Sequence, residues 1–142
     1  MARELSSVDW RGMHAPSIGV FEQMADEAWR RLPSRFRDLC GDIVVRIEDF
    51  GTDEILDDMD IEDPFELMGL YQGVSLDKQS VSDVQQAPNM IFLYRRPILD
   101  HWSEGEETLG DLITHVLVHE VGHHFGLSDA DMDDIEDEAV ST

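Results

Sequence analysis

Apolar residues at helical spacing predict a long helix in the last third of the chain. The helix contains an apolar stripe at Leu109, Leu112, Ile113, Val116, Leu117, Val121 and Phe125. Gly126 follows the stripe, and a glycine at that place commonly ends a helix. Two capping arrangements compete at its beginning, Ser103 with Glu106 and Thr108 with Asp111.

Shorter helices are predicted in the first half. One begins near Ser17 and ends before Pro33, with an apolar stripe at Ile18, Phe21, Met24, Ala25, Ala28 and Trp29. A helical turn is expected over residues 34–39, ended by Gly41. Residues 52–59 form a short helix that a Thr or Asp side chain can cap.

Three segments have strand character. Residues 43–50 place Ile43, Val45 and Ile47 on one face. Residues 69–73 form a short strand bounded by glycines, and residues 75–88 are predicted to be a loop. The run 90–94 is apolar throughout and is expected to end at Pro97. This run is compatible with a core strand and equally with an edge strand on which an extended peptide pairs.

The mixture of helices and strands predicts an α+β domain of ordinary size. The chain has 142 residues and a hydrophobic fraction of 42%, enough for one core. We expect a flexible N-terminal arm at 1–15, a single domain at 16–138 and a tail at 139–142. Residues 129–138, which are mostly acidic, are expected to form a solvated face.

The net charge of −22 argues against two classes of binding partner. Such a surface repels nucleic acid and anionic membranes, so we expect neither as a partner. Cys40 is the single cysteine, which excludes an internal disulfide. No apolar leader or membrane-spanning run is visible, and a cytoplasmic location is therefore expected.

The long helix carries the pattern His119-Glu120-Val121-Gly122-His123. Residues four apart differ by about 40° in direction, so both imidazoles project from one face. This spacing suits two ligands of one zinc ion, with Glu120 placed to reach a metal-activated water. Gly126 can turn the chain so that Asp129 becomes the third, oxygen ligand. The predicted site is therefore one Zn²⁺ held by His119, His123 and Asp129, with Glu120 as general base.

Several nearby side chains leave alternatives open. Asp131 is a second possibility for the third ligand. His115 is in the same row as His119 and is expected to be a packed or outer-shell residue, and His124 a surface or hydrogen-bonding one. Arginine and tyrosine side chains are candidates for stabilising an oxyanion, namely Tyr71, Tyr94, Arg95 and Arg96.

The string from His119 to Met132, HEVGHHFGLSDADM, resembles the bacterial mini-zincin family of zincin-like metallopeptidases. The segments DPFELMGLYQGV from residue 63 and MIFLYRRPI from residue 90 support the same resemblance, which extends over residues 16–136. It implies a compact minimal zincin-like fold, with a small mixed sheet packed on the active-site helix.

The function expected from the residues and from this resemblance is zinc-dependent hydrolysis of a peptide or protein substrate. Glu120 would act on the attacking water. Two alternatives stay open from the sequence. One is a non-catalytic metal-binding regulatory module, and the other is a zinc hydrolase of a non-peptide amide.

Overall fold

The computed structural model describes residues 9–73 and 89–141, which form an α+β fold. The main elements in chain order are α1 Ile18–Arg31, α2 Ser34–Cys40, β1 Ile43–Glu48, α3 Asp53–Asp58, β2 Gly69–Gln72, β3 Asn89–Tyr94, α4 Arg95–Glu104, α5 Leu109–His124 and α6 Asp129–Ser141. Short 3-10 turns occur at Trp10–Gly12 and Pro64–Glu66. The loop predicted at 75–88 and most of the N-terminal arm lie outside the described residues.

The helices of the first half confirm the prediction from spacing. The hydroxyl of Ser17 accepts a hydrogen bond from the backbone N–H of Val20 at 3.2 Å and so caps α1. The face of α1 that is packed in the core consists of Phe21, Ala25 and Ala28. Helix α2 ends at Gly41, whose φ of 62° is left-handed, and Thr52 caps α3. The sequence could predict these helices because each cap and each helix end depends on residues that are neighbours in sequence.

The sheet has the order β1-β3-β2, with β3 in the centre. Strand β3 runs parallel to β1 and antiparallel to β2. Both of its edges are therefore paired, and the hypothesis that residues 90–94 offer an edge to a peptide is wrong. The continuous apolar run is explained by burial on both faces, because Ile91 and Leu93 face the main core while Tyr94 belongs to a second cluster.

Two hydrophobic layers cover the sheet. The main core joins one sheet face to α1, α5 and α6, and its buried members include Phe21, Ile91, Leu117 and Met132. On the other face, Leu56 of α3 and Leu67 pack with Tyr94 in a smaller cluster. Helix α5 thus lies directly beneath the sheet, in the position expected for an active-site helix.

Helix α4 was not predicted. Strand β3 ends at Tyr94, and the helix begins at once with Arg95, so Pro97 occupies its first turn. A proline is tolerated there because the first N–H groups of a helix have no intrahelical partner. The hydroxyl of Ser103 donates to the carbonyl of Asp100 within this helix. Ser103 is therefore not the cap of α5.

The long helix α5 is capped by Thr108. Its hydroxyl accepts a hydrogen bond from the N–H of Asp111 at 3.1 Å. At the other end Gly126 has a φ of 74°, and the N–H of Leu127 donates to the carbonyl of Gly122 at 2.9 Å. This is the bonding expected of a left-handed helix terminus, and it reverses the chain into α6.

The acidic segment forms helix α6, and the expectation of a merely solvated face is wrong for its inner side. Met132, Ile135 and Ala139 are buried at helical spacing, while the Asp residues around them are mostly exposed. Gly122 of α5 makes the close approach possible, because a Cβ at that position would overlap the sulfur of Met132. The two helices therefore pack with almost no space between them.

This contact predicts that a glycine substitution at Gly122 destabilises the fold, whereas the same substitution at Gly110 of α5 does not. Gly122→Ala is expected to lower the free energy of unfolding by about 1–3 kcal/mol, since the added methyl group overpacks the α5–α6 contact. Gly110→Ala is the matched control, because its Cβ would meet only Met24 at an ordinary 3.9 Å. Thermal unfolding of the metal-free chains measures both. If the two variants have equal stability, the packing constraint at Gly122 does not exist.

Candidate metal centre

Helix α5 presents a row of imidazoles toward α6. The rings of His115 and His119 stack with their centroids 4.0 Å apart and an angle of 27° between the planes. This is the arrangement expected for residues four apart on one helix face. His123 is the next residue of the row and lies within α5, but its side chain is outside the part that the structure describes.

Glu136 of α6 reaches this row. Its Oε1 lies 2.8 Å from Nε2 of His119 and 3.0 Å from Nδ1 of His115. Its Oε2 is 3.2 Å from Nδ1 of His115. The Glu136 side chain is only 19% exposed, so the carboxylate is directed inward although most acids of α6 face solvent. Sequence reasoning missed this residue.

A signal for Glu136 was present in the sequence. The buried residues of α6 are spaced as Met132, Ile135 and Ala139, and Glu136 is four residues after the first of them. A helical interpretation of the acidic segment would therefore have placed this one carboxylate beside the apolar stripe. The high density of acidic residues in α6 obscured the helical spacing of its apolar residues.

Glu120 faces a different environment from His119. Its Cγ lies where a Cβ on Gly69 of β2 would come within 3.0 Å, so the side chain packs against the sheet. Burial raises the pKa of Glu120 to about 7. It makes no ion pair with any described residue. The guanidinium of Arg95 instead donates a hydrogen bond to Asp49 at 3.1 Å.

Asp129 and Asp131 have distinct places at the beginning of α6. Asp129 is the first residue of the helix and is exposed, and it does not belong to the group formed by His115, His119 and Glu136. Asp131 is part of a capping box, because its N–H donates to the Ser128 hydroxyl and its carboxylate accepts from the Ser128 N–H. This structural use explains the presence of Asp131 without a metal.

The candidates for oxyanion stabilisation divide into two kinds. Arg95 and Arg96 both approach Asp49, and Arg95 also donates to the carbonyl of Pro16, so they tie β3 and α4 to the preceding loops. The hydroxyls of Tyr71 and Tyr94 are buried and form no hydrogen bond within the described residues. Burial, Glu48 and Glu120, in that order, raise the pKa of Tyr94 to about 12. Tyr94 therefore stays a neutral phenol near Glu120.

His124 is half-buried among aromatic rings. Its ring centroid lies 4.1 Å from that of Tyr71 and 5.3 Å from that of Phe125. The side chain points away from the row of His115 and His119, as the 100° step per residue requires. Of the two roles expected for His124, a surface location does not fit this half-buried ring, which packs between β2 and α5, and the hydrogen-bonding role stays a prediction.

A family model described as a zincin-like metallopeptidase matches residues 40–139. The chain belongs to this family. The match includes all three strands of the sheet and helix α5, so the resemblance inferred from the sequence motifs is confirmed. None of the curated proteins matches the sequence. In the described part of this zincin-like chain, no helix combines the length and apolar character needed to cross a membrane.

His119, which the sequence assigns to the zinc ion that the family implies, lies among side chains that suit such an ion. Among the described residues, ligand atoms of His115, His119 and Glu136 all lie within 4.8 Å of one another. Imidazole nitrogens and a carboxylate oxygen are typical ligands of zinc. The donor set on the inner side of α5 is therefore suited to a divalent transition metal rather than to a calcium ion, which prefers only oxygen ligands.

The burial of Glu120 predicts a pH-dependent loss of stability in the metal-free chain. The folded-state pKa is about 7 and the ordinary value is 4.5, so folding retains the proton and stability falls as pH rises between these values. Glu120→Gln removes this loss. We expect the variant to be more stable than the wild type above about pH 7, by roughly 1–3 kcal/mol, and to match it below about pH 4.

Chemical denaturation across this pH range tests the expectation. Glu104→Gln is the control, because Glu104 is exposed on α4. It should leave the pH dependence unchanged. A Glu120→Gln chain that is less stable than the wild type at every pH would mean that the carboxylate serves a structural ion pair.

Proposed function

We propose that this protein is a zinc-dependent peptidase that hydrolyses the peptide bonds of a peptide or protein substrate. The observation that carries the proposal is the desolvated carboxylate of Glu120, adjacent to His119 on a helix packed beneath the sheet. A carboxylate kept without an ion-pair partner among the described residues costs stability. Membership of the zincin-like metallopeptidase family supports a catalytic reason for that cost.

In this proposal His119, His123 and Asp129 hold the ion. Zinc bound there would supply a Lewis acid that polarises the scissile carbonyl. The left-handed turn at Gly126 supports the use of Asp129, since it reverses the chain three residues before that aspartate. The capping contacts of Asp131 with Ser128 favour Asp129 over Asp131 as third ligand.

Glu120 acts as the general base. A base with a pKa near the working pH takes a proton readily and also returns it. The pKa of about 7 therefore suits Glu120 to accept a proton from the attacking water and deliver it to the leaving amine.

Glu120→Gln separates binding of the metal from chemistry. We expect Zn²⁺ affinity to change little, because a general base need not coordinate the ion. Cleavage of a peptide library by the zinc-loaded chain should fall by at least about a hundredfold, the lower end of what a positioned base contributes. His119→Ala is the reference for loss of the metal and should remove both properties. Full cleavage by a folded Glu120→Gln variant would contradict the proposed mechanism.

We expect Asp129 to be needed for cleavage and Asp131 to contribute to the stability of the fold. Asp129→Ala should abolish cleavage with little effect on the melting temperature of the metal-free chain. Asp131→Ala should retain cleavage but lose about 1 kcal/mol or less of stability, because it breaks the capping box. Turnover and thermal unfolding are measured on the same samples. The reverse pattern would transfer the role of ligand to Asp131.

A further inference from the structure

A second set of metal ligands lies on the side of His119 that faces α6. It consists of His115, His119 and Glu136, and it includes neither His123 nor Asp129. His115 and Glu136 have no part in the proposed catalysis. Their side chains nevertheless turn toward His119 from two different helices, with 40% and 19% of their surface exposed. Two inward-directed polar groups at one point of a helix interface require an explanation.

The carboxylate of Glu136 makes one hydrogen bond and leaves its other oxygen facing both imidazoles. Oε2 is hydrogen-bonded to Nδ1 of His115 at 3.2 Å, whereas Oε1 is buried, lies within 3.0 Å of a nitrogen on each imidazole and forms no hydrogen bond with any described residue. A carboxylate oxygen and an imidazole lone pair at this distance repel each other unless a proton or a metal lies between them. Convergence of three lone-pair donors is instead the requirement of a metal site.

The stacking of the two rings points the same way. With ring centroids 4.0 Å apart, His115 and His119 each bring one ring nitrogen to within 3.0 Å of the same carboxylate oxygen. Imidazole nitrogens and a carboxylate oxygen at one point are a donor set that suits a transition metal. The net charge of −22, concentrated in part on α6, raises the local concentration of cations at this surface.

We propose that His115, His119 and Glu136 form a second site for a divalent transition metal such as Zn²⁺, which competes with the proposed catalytic site for His119. A neutral imidazole coordinates through one nitrogen, so His119 serves one ion at a time. An ion in the second site therefore takes His119 away from the proposed catalytic site. Glu120 then has no metal-activated water on which to act. The second site does not depend on whether the protein cleaves peptides.

Zinc titration of the full chain carrying His123→Ala tests the proposal. A chromophoric chelator serves as competitor, and metal analysis gives the stoichiometry. We expect this variant to retain one Zn²⁺ per chain. Adding Glu136→Gln or His115→Ala should then weaken binding by at least about 100-fold, since even the loss of an outer-shell partner costs about 10–100-fold.

Two controls are matched to these changes. Asp129→Asn in the His123→Ala chain should leave zinc affinity within about twofold, because Asp129 belongs to the other set. Asp134→Asn removes the same charge as Glu136→Gln at an exposed position, about 200° around α6. It should also have little effect. Circular dichroism establishes folding, and His123→Gln replaces His123→Ala if the alanine variant is unfolded.

Two results would overturn the second site. One is a folded His123 variant that binds no zinc, and the other is retained binding that Glu136→Gln does not weaken. Failure of the proposed peptidase function is recognised separately. In that case the wild type cleaves no peptide, while the zinc retained by the His123 variant still depends on Glu136.

Discussion

Helix α5 is fixed between the sheet and α6, and the orientation of the His119 and Glu120 side chains depends on this packing. Gly69 of β2 touches Val116 and Glu120 on one side, and Gly122 touches Met132 on the other. Neither contact leaves space for a Cβ, so α5 cannot move toward the sheet or toward α6 without a clash. The polar side chains of α5 therefore leave the helix in directions that the surrounding core determines.

This packing gives two adjacent residues opposite electrostatic surroundings. Glu120 lies against the sheet, where burial raises its pKa to about 7 and no described residue offers an ion pair. His119 lies on the side of α6, with the carboxylate of Glu136 at 2.8 Å. A 100° step along one helix is enough to separate a desolvated acid from an imidazole that faces a carboxylate. The proposed function uses these two environments, one for a metal ligand and the other for a general base.

Elements whose boundaries are set by neighbouring residues could be predicted from the sequence, and two helices could not. The beginning of α1 near Ser17, the Thr or Asp cap of α3 and the helix ends at Gly41 and Gly126 depend on local signals, and all were predicted. Helix α4 was missed because a proline usually interrupts a helix. Pro97 is tolerated only because the helix begins at Arg95, which places the proline in its first turn. Helix α6 was missed because its acids hid the apolar period, although Met132, Ile135 and Ala139 retain it.

The sequence by itself determined the α+β class, the family, and the position of the His119-Glu120-Val121-Gly122-His123 pattern on a long helix. These features follow from spacing and from short motifs, which act within a few residues. The tertiary structure decided which strand lies in the centre of the sheet, that Glu120 is desolvated by β2, and that Glu136 reaches His119. Each of these depends on contacts between residues distant in sequence, such as His119 and Glu136, which are 17 residues apart. A pattern of neighbouring residues does not predict which elements lie next to each other in the folded core.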